Sequence, residues 1–341
     1  MREIDLSKYK TRTDLVVDLI EKDQKYEEID EYDSVKVSRI KLDKKGAEKL
    51  GRKKGNYTTI YFEDITDSTN YLKTLEIFTN ELKKMLKKTK IKLNHSCMVI
   101  GLGNEKSTAD LLGVETSKKV IVTNHIYKLT GSLEDGYRIT TSISPGVMGE
   151  TGIETSEIIS SVIKTVSPDF VITIDALASD SIDRLLRTIQ ITDTGINPGS
   201  GIGNNRKEVS KEIFNIPVIA IGVPTVVEAT TIVNDTINYM KKHFSYNIKN
   251  KDNPVTKLVP SNSINYLKDN TYNLSEDESN YFLGAIGNLS NSEKKSFIKD
   301  VLTPIGYNLI VTPKEIDFVV EKLISLLSSG INNTLHNIST K

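Results

Sequence analysis

Between residues 95 and 245, short unbroken runs of β-branched apolar residues alternate with stretches of helical period, and few architectures accommodate that alternation. Runs at 98–102, 120–123, 170–175 and 218–223 read as strands. Residues 154–166 and 226–244 read as helices, the second with Thr225 as its N-cap. A strand apolar along its whole length is buried on both faces, and a helix after each strand returns the chain parallel to it. The expectation is an α/β fold with a mostly parallel central sheet and helices on both faces. Ligands in such sheets bind beyond the carboxyl ends of the strands, so polar residues there are the first candidates for chemistry.

Peripheral α+β additions flank this core. Residues 15–92 form an N-terminal α+β part, with a strand at 57–62 and a helix at 70–90, and residues 246–341 form a helical part with a strand at 308–311. Thr312-Pro313-Lys314-Glu315 reads as a helix start with Pro at its first position. Residues 1–14 are polar and read as a loosely held extension. The basic run KKMLKKTKIK reads as a solvated helix face, because 45 basic and 45 acidic side chains cancel to a net charge of zero. The same balance argues against a direct nucleic-acid partner. The first residues carry no apolar signal segment and no stretch nears the ~20 residues of a membrane span, so a soluble, unexported protein without a membrane partner is expected. Cys97, the only cysteine, reads as a buried core thiol. None of the four histidines has metal-ligand spacing; His95 and His125 lie near strand ends, within reach of a site, and read as structural residues.

Four segments hold residues suited to chemistry. Val99-Ile-Gly101-Leu-Gly103-Asn104 is a strand entering a glycine turn that lacks the third glycine of a dinucleotide fingerprint. Asp110 follows it, either as the N3 partner of a Ser107 cap or as a functional carboxylate. Asp175 closes the apolar run 170–174 at the rim of the sheet. Two carboxylates in one cleft cannot both ionise cheaply, so they share a proton and supply one acid and one base; that suits aspartic-type peptide hydrolysis. Two glycine-rich loops, 144–157 and 193–208, contribute the cleft-lining candidates Gly149, Glu154, Asp193, Gly199 and Gly201 beside Gly101, Gly103 and Asn104. Thr151 and Glu154 also match a helix-capping box.

The strings GVMGETGIETSE, FVITIDALAS, ITDTGINPGSGIGNNRKE and IPVIAIGVPTVVEA, with Ile4 to Tyr9 and Thr11 to Leu15, resemble the germination protease family over essentially the whole chain. That family is distantly similar to hydrogenase-maturation endopeptidases, and the resemblance implies their phosphorylase/hydrolase-like α/β fold. It further implies an aspartic-type endopeptidase with Asp110 and Asp175 as catalytic residues. No cofactor and no metal ligand set is implied, with a metal between the two aspartates left as an open alternative. Residues 1–14 would be a propeptide that the enzyme removes itself between Asp14 and Leu15, leaving a protease domain at 15–341. Cleavage after an acidic residue, small acid-soluble spore proteins as substrates, a homotetramer and a cytoplasmic location in forespore and spore core complete what the resemblance implies. The chain departs from the family pattern at Ala109, at Val114 after Gly113, and at Val16. The alternative readings are a nucleotide-binding α/β enzyme and a catalytically inactive scaffold.

Overall fold

The first part of the sheet is an antiparallel meander whose central strands bury side chains on both faces. The computed structural model describes residues 13–19, 27–196, 208–251, 272–302 and 309–337. Its strands are β1 (Glu27–Tyr32), β2 (Val35–Leu42), β3 (Gly55–Phe62), β4 (Cys97–Gly101), β5 (Thr140–Ile143), β6 (Phe170–Ser179), β7 (Thr188–Thr192), β8 (Val218–Glu228) and β9 (Ile310–Val311). Val35, Val37, Ile40 and Leu42 of β2 are buried while Lys36 and Lys41 face solvent. The loop between β1 and β2 is two residues long, with Asp33 at φ 47°, a left-handed conformation that Asp tolerates and that tight hairpins require.

The strands run in the order β1-β2-β3-β7-β8-β6-β4-β5, with β9 on β8. The sheet is mixed: β4 pairs in parallel with β5 and β6, whereas β1, β2, β3, β7 and β8 are joined by antiparallel pairings. The parallel part is the one built of strand-helix alternation, and the antiparallel part enters through the N-terminal meander and β7. Helices cover both faces. Phe78, Leu82 and Met85 of the helix Ser68–Lys88 and Leu323, Leu327 and Ile331 of the helix Ile316–Leu335 pack on one face, with Val99, Ile172, Ile174, Ile189 and Ile221. Ile159 and Ile163 of the helix Thr155–Val166 cover the other, on Met98, Ile100 and Val171. The basic residues Lys87 and Lys88 close the first of these helices.

Chain contacts divide the described residues into two compact units, a larger one within 13–179, 183–226 and 312–337, and a smaller one within 180–182 and 227–311. In the smaller unit the helix Ala229–Lys249 carries Phe244, which stacks on Phe282 of the helix Glu276–Leu283 at 4.7 Å. There Val227 and Glu228 pair with β9.

Several sequence expectations are corrected. Residues 120–123 form no strand, and the strand beside β4 is Thr140–Ile143, a short polar run that periodicity does not mark. Thr225 does not cap a helix but belongs to β8, where its hydroxyl donates to Ala109 O at 2.6 Å; the helix begins at Ala229. Residues 312–315 precede the last helix, which starts at Ile316 with Glu315 as N-cap. Thr13 and Asp14, read as part of a loose extension, are held in the larger unit, and Thr13 is 5% exposed. Residues 1–12 lie outside the described residues.

Candidate active site

The carboxyl end of β4 is a turn in which glycine is required by contact. Gly103 has φ +123°, and a Cβ there would overlap the Asp110 carbonyl oxygen. At Gly101 a Cβ would overlap the Gly113 carbonyl, and at Gly113 it would meet Ile174 O and Leu102 O. The glycines are therefore consumed by packing within the chain. Asp110 Oδ2 accepts from Asn104 N at 2.9 Å, and Asp110 N donates to Ser107 O at 2.8 Å. The capping expectation fails: the helix after this turn is Leu112–Lys118, with Leu111 as its N-cap, so Asp110 lies before it. Its carboxylate instead closes the β4 turn on itself. Thr225 of β8 fastens the preceding residue by its bond to Ala109 O, a contact that requires only a carbonyl and is met by the Ala at this position.

Asp175 is not at a strand end; β6 continues to Ser179. It nevertheless lies at a rim, because β4 stops at Gly101, level with Ile174, and Leu102 N takes Ile174 O at 2.8 Å. Asp175 is 5% exposed, and Ala176 N donates to its Oδ1 at 2.9 Å. Ile172 and Ile174 enter the core, so Asp175 and Leu177 face the opposite side of the sheet. Asp110 and Asp175 are thereby linked around the end of β4: Asp175 follows Ile174, whose carbonyl takes Leu102 N, and Asp110 takes Asn104 N of the same turn.

Residues 13–18 occupy this end of the sheet. Asp14 N donates to Ala178 O at 3.0 Å, and Ala178 N donates to Asp14 Oδ2 at 2.9 Å. Ala178 turns its backbone groups to the same side as Ile174, four residues earlier, so Asp14 fills the edge of β6 beyond the end of β4. Leu15 is fully buried, and Val16 packs with Ile40, Leu42 and Tyr57. Gln190, on β7, reaches across the segment: its Nε2 donates to Asp14 O at 3.3 Å and its Oε1 accepts from Val16 N at 2.9 Å. Asp18 pairs with Arg184, and Arg52 donates to Thr13 O. A cavity of about 260 Å³ adjoins the segment, lined among others by Asp14, Lys53, Leu177, Gln190 and Thr194. Since Leu177 and Gln190 line one cavity, and Ile189 and Ile191 enter the core beneath, Asp175, Leu177 and Gln190 share one sheet face.

Other sequence candidates distribute unevenly. Asp193 accepts from Asn56 N at 2.7 Å and from Asn56 Nδ2 at 2.6 Å, a fastening of β3, while its neighbours Thr194 and Gly195 line the cavity. Lys106 of the β4 turn pairs with Glu150 at 3.1 Å, which brings the loop containing Gly149 beside that turn. A Cβ at Gly149 would meet nothing within 4 Å. The Thr151–Glu154 capping box is absent: Thr151 ends a short helix, its hydroxyl accepting from Ile153 N, and Glu154 is an N-cap without a side-chain bond. Glu154 Oε1 is buried without a hydrogen-bond partner among the described residues. Gly199 and Gly201 lie outside the described residues. His95 precedes the amino end of β4, and His125 follows Thr123, which bonds Thr140 at the amino end of β5, so both lie away from the carboxyl ends. Among the described residues no group of three His, Cys, Asp or Glu side chains could hold a metal ion, and no helix is long and apolar enough to cross a membrane. Cys97 is buried, and burial pushes its thiol pKa up, away from thiolate chemistry. Gln190 was not marked by any motif; its one signal is a large polar residue between Ile189 and Ile191 in a strand otherwise free of long polar side chains.

A hydrogenase maturation protease, HycI from Thermococcus kodakarensis KOD1, aligns at a TM-score of 0.28 and 15% identity over 42% of this chain and 80% of its own. A germination protease from Geobacillus sp. (strain WCH70) is 43% identical over 358 residues, spanning 98% of this chain and 96% of that protein. One from Bacillus cytotoxicus is 44% identical over 351 residues, with the same coverage. The family model described as germination protease matches residues 7–341, and the chain belongs to the germination protease family of peptidases.

Proposed function

We propose that the chain is an endopeptidase that hydrolyses small acid-soluble spore proteins after an acidic residue, using Asp110 and Asp175, and that it matures by removing residues 1–14 itself. In this reading one carboxylate takes a proton from the attacking water, while the other donates toward the carbonyl oxygen or the leaving amine. The observation that carries it is the Asp14-Leu15-Val16 segment, which bonds Ala178 of β6 at Asp14 and Gln190 at Asp14 O and Val16 N, with Gln190 on the sheet face that the buried Asp175 shares. Both Asp14, an acidic residue before the bond, and the enclosed Leu15 after it match the proposed preference. The enzyme works as a homotetramer in the spore core, without a cofactor. A nucleotide-binding role is disfavoured by the β4 glycines, whose open sides face Gly113 and Asp110 rather than a ligand.

The test is intact mass and N-terminal sequencing of wild type, Asp110→Asn and Asp175→Asn after incubation with a small acid-soluble spore protein. The wild type should lose residues 1–14 and cleave the substrate, and each variant should be slower by about 10²–10⁴-fold with unchanged folding. A variant that keeps wild-type activity removes that aspartate from the mechanism. Sedimentation of the wild type should give four copies; a stable monomer with full activity overturns the tetramer.

A further inference from the structure

We infer that Gln190 is the residue that grips the peptide to be cut, an inference that rests on the reading of Asp14-Leu15 as the processed bond. Its carboxamide donates from Nε2 to the Asp14 carbonyl and accepts at Oε1 from Val16 N, one contact on each side of Leu15. A parallel strand neighbour bonds the residues before and after its partner in the same way, so one side chain replaces a strand. Leu15 between them is extended, φ −83° and ψ 127°, and is the last extended residue before the 3-10 turn Val16–Asp18. Gln190 is itself 5% exposed and sits between Ile189 and Ile191 in a fully buried strand, where an amide persists only with its bonds made.

This placement has a chemical consequence. Hydrolysis adds the water hydroxyl to the Asp14 carbonyl carbon and a proton to the Leu15 nitrogen as the C–N bond breaks. Negative charge accumulates meanwhile on the Asp14 oxygen, the atom that Gln190 Nε2–H already contacts, and a donor fixed there stabilises it. The Val16 contact holds the bond in register, while Ala178 N reads the Asp14 carboxylate. The grip reads main chain only, which makes Gln190 indifferent to the side chains on either side and leaves sequence preference to the Asp14 and Leu15 sites.

Two variants separate the contacts. Gln190→Glu keeps an acceptor for Val16 N and loses the donor to Asp14 O; Gln190→Met keeps the length and loses both. The full chain is followed by intact mass and N-terminal sequencing, with a melting curve for each protein. Both variants should release residues 1–14 on the order of 10- to 100-fold more slowly than wild type. In an Asp175→Asn background, where processing is expected to be about 10²–10⁴-fold slower, amide exchange at Val16 should accelerate with Gln190→Met and stay slow with Gln190→Glu. Wild-type processing rates in both variants, or a Val16 amide as protected in Gln190→Met as in its parent, overturn the inference while leaving the Asp14-Leu15 reading intact. A wild-type chain that cuts at another bond overturns both. Should Gln190→Met fail to fold, Gln190→Glu still decides the role of the donor.

Discussion

Gly103 shows how one atom can decide a site. Its φ of +123° and the Asp110 carbonyl against its open side leave no space for a methyl group, so Gly103→Ala must shift the turn that aims Asp110. We expect a cost of roughly 1–3 kcal/mol in urea unfolding and a larger proportional loss of activity, because the displaced residue is the carboxylate. Gly149 is the contrasting case, since a Cβ there enters open space. Gly149→Ala should change stability by less than about 1 kcal/mol and leave processing intact; a severe loss of processing in a stable variant would support Gly149 as a cleft-lining residue. The two glycines look alike in sequence and differ only in their neighbours.

At the scale of elements, β2 is tied to the helix Ser68–Lys88 by a bidentate ion pair. Arg39 Nε donates to Glu81 Oε2 at 2.8 Å and Nη2 to Oε1 at 2.7 Å, with Lys84 on Oε1 at 2.7 Å. Glu81 is 4% exposed, so removing Arg39 leaves a buried carboxylate with one exposed partner. Arg39→Met should destabilise by about 3 kcal/mol, and Arg39→Met with Glu81→Met should recover most of that. A double variant no more stable than the single one would mean that the pair contributes more than the charge it neutralises. Sequence periodicity found this helix within two residues at each end, but not the pair, whose members are 42 positions apart.

For the whole molecule the buried titratable groups predict acid lability in two steps. Burial, reinforced by the charge of Arg138 and opposed by the bond to Ile121 O, lowers the His336 pKa from 6.5. The unfolded chain then takes up a proton that the fold refuses, so stability falls as pH drops below about 6.5. Burial would raise Glu81, but Arg39 and Lys84 outweigh it and hold its pKa below 4.5. Its contribution is present above 4.5 and is lost as pH falls through the lower folded value. Urea midpoints should decline in both windows, and His336→Gln should flatten the upper one; a midpoint that rises on acidification contradicts both assignments. Local pattern was enough for the α/β class, the helices on both faces and Cys97 as a core thiol, because periodicity and apolar runs are properties of neighbours in the chain. It placed Asp175 at a strand end and Asp110 in a helix cap, since whether a strand continues depends on what pairs beside it. The meeting of Asp14 with Ala178 and of Val16 with Gln190, 164 and 174 positions apart, was decided by tertiary structure alone, because β4 ends where β6 goes on and leaves an edge for the chain's own first residues to fill.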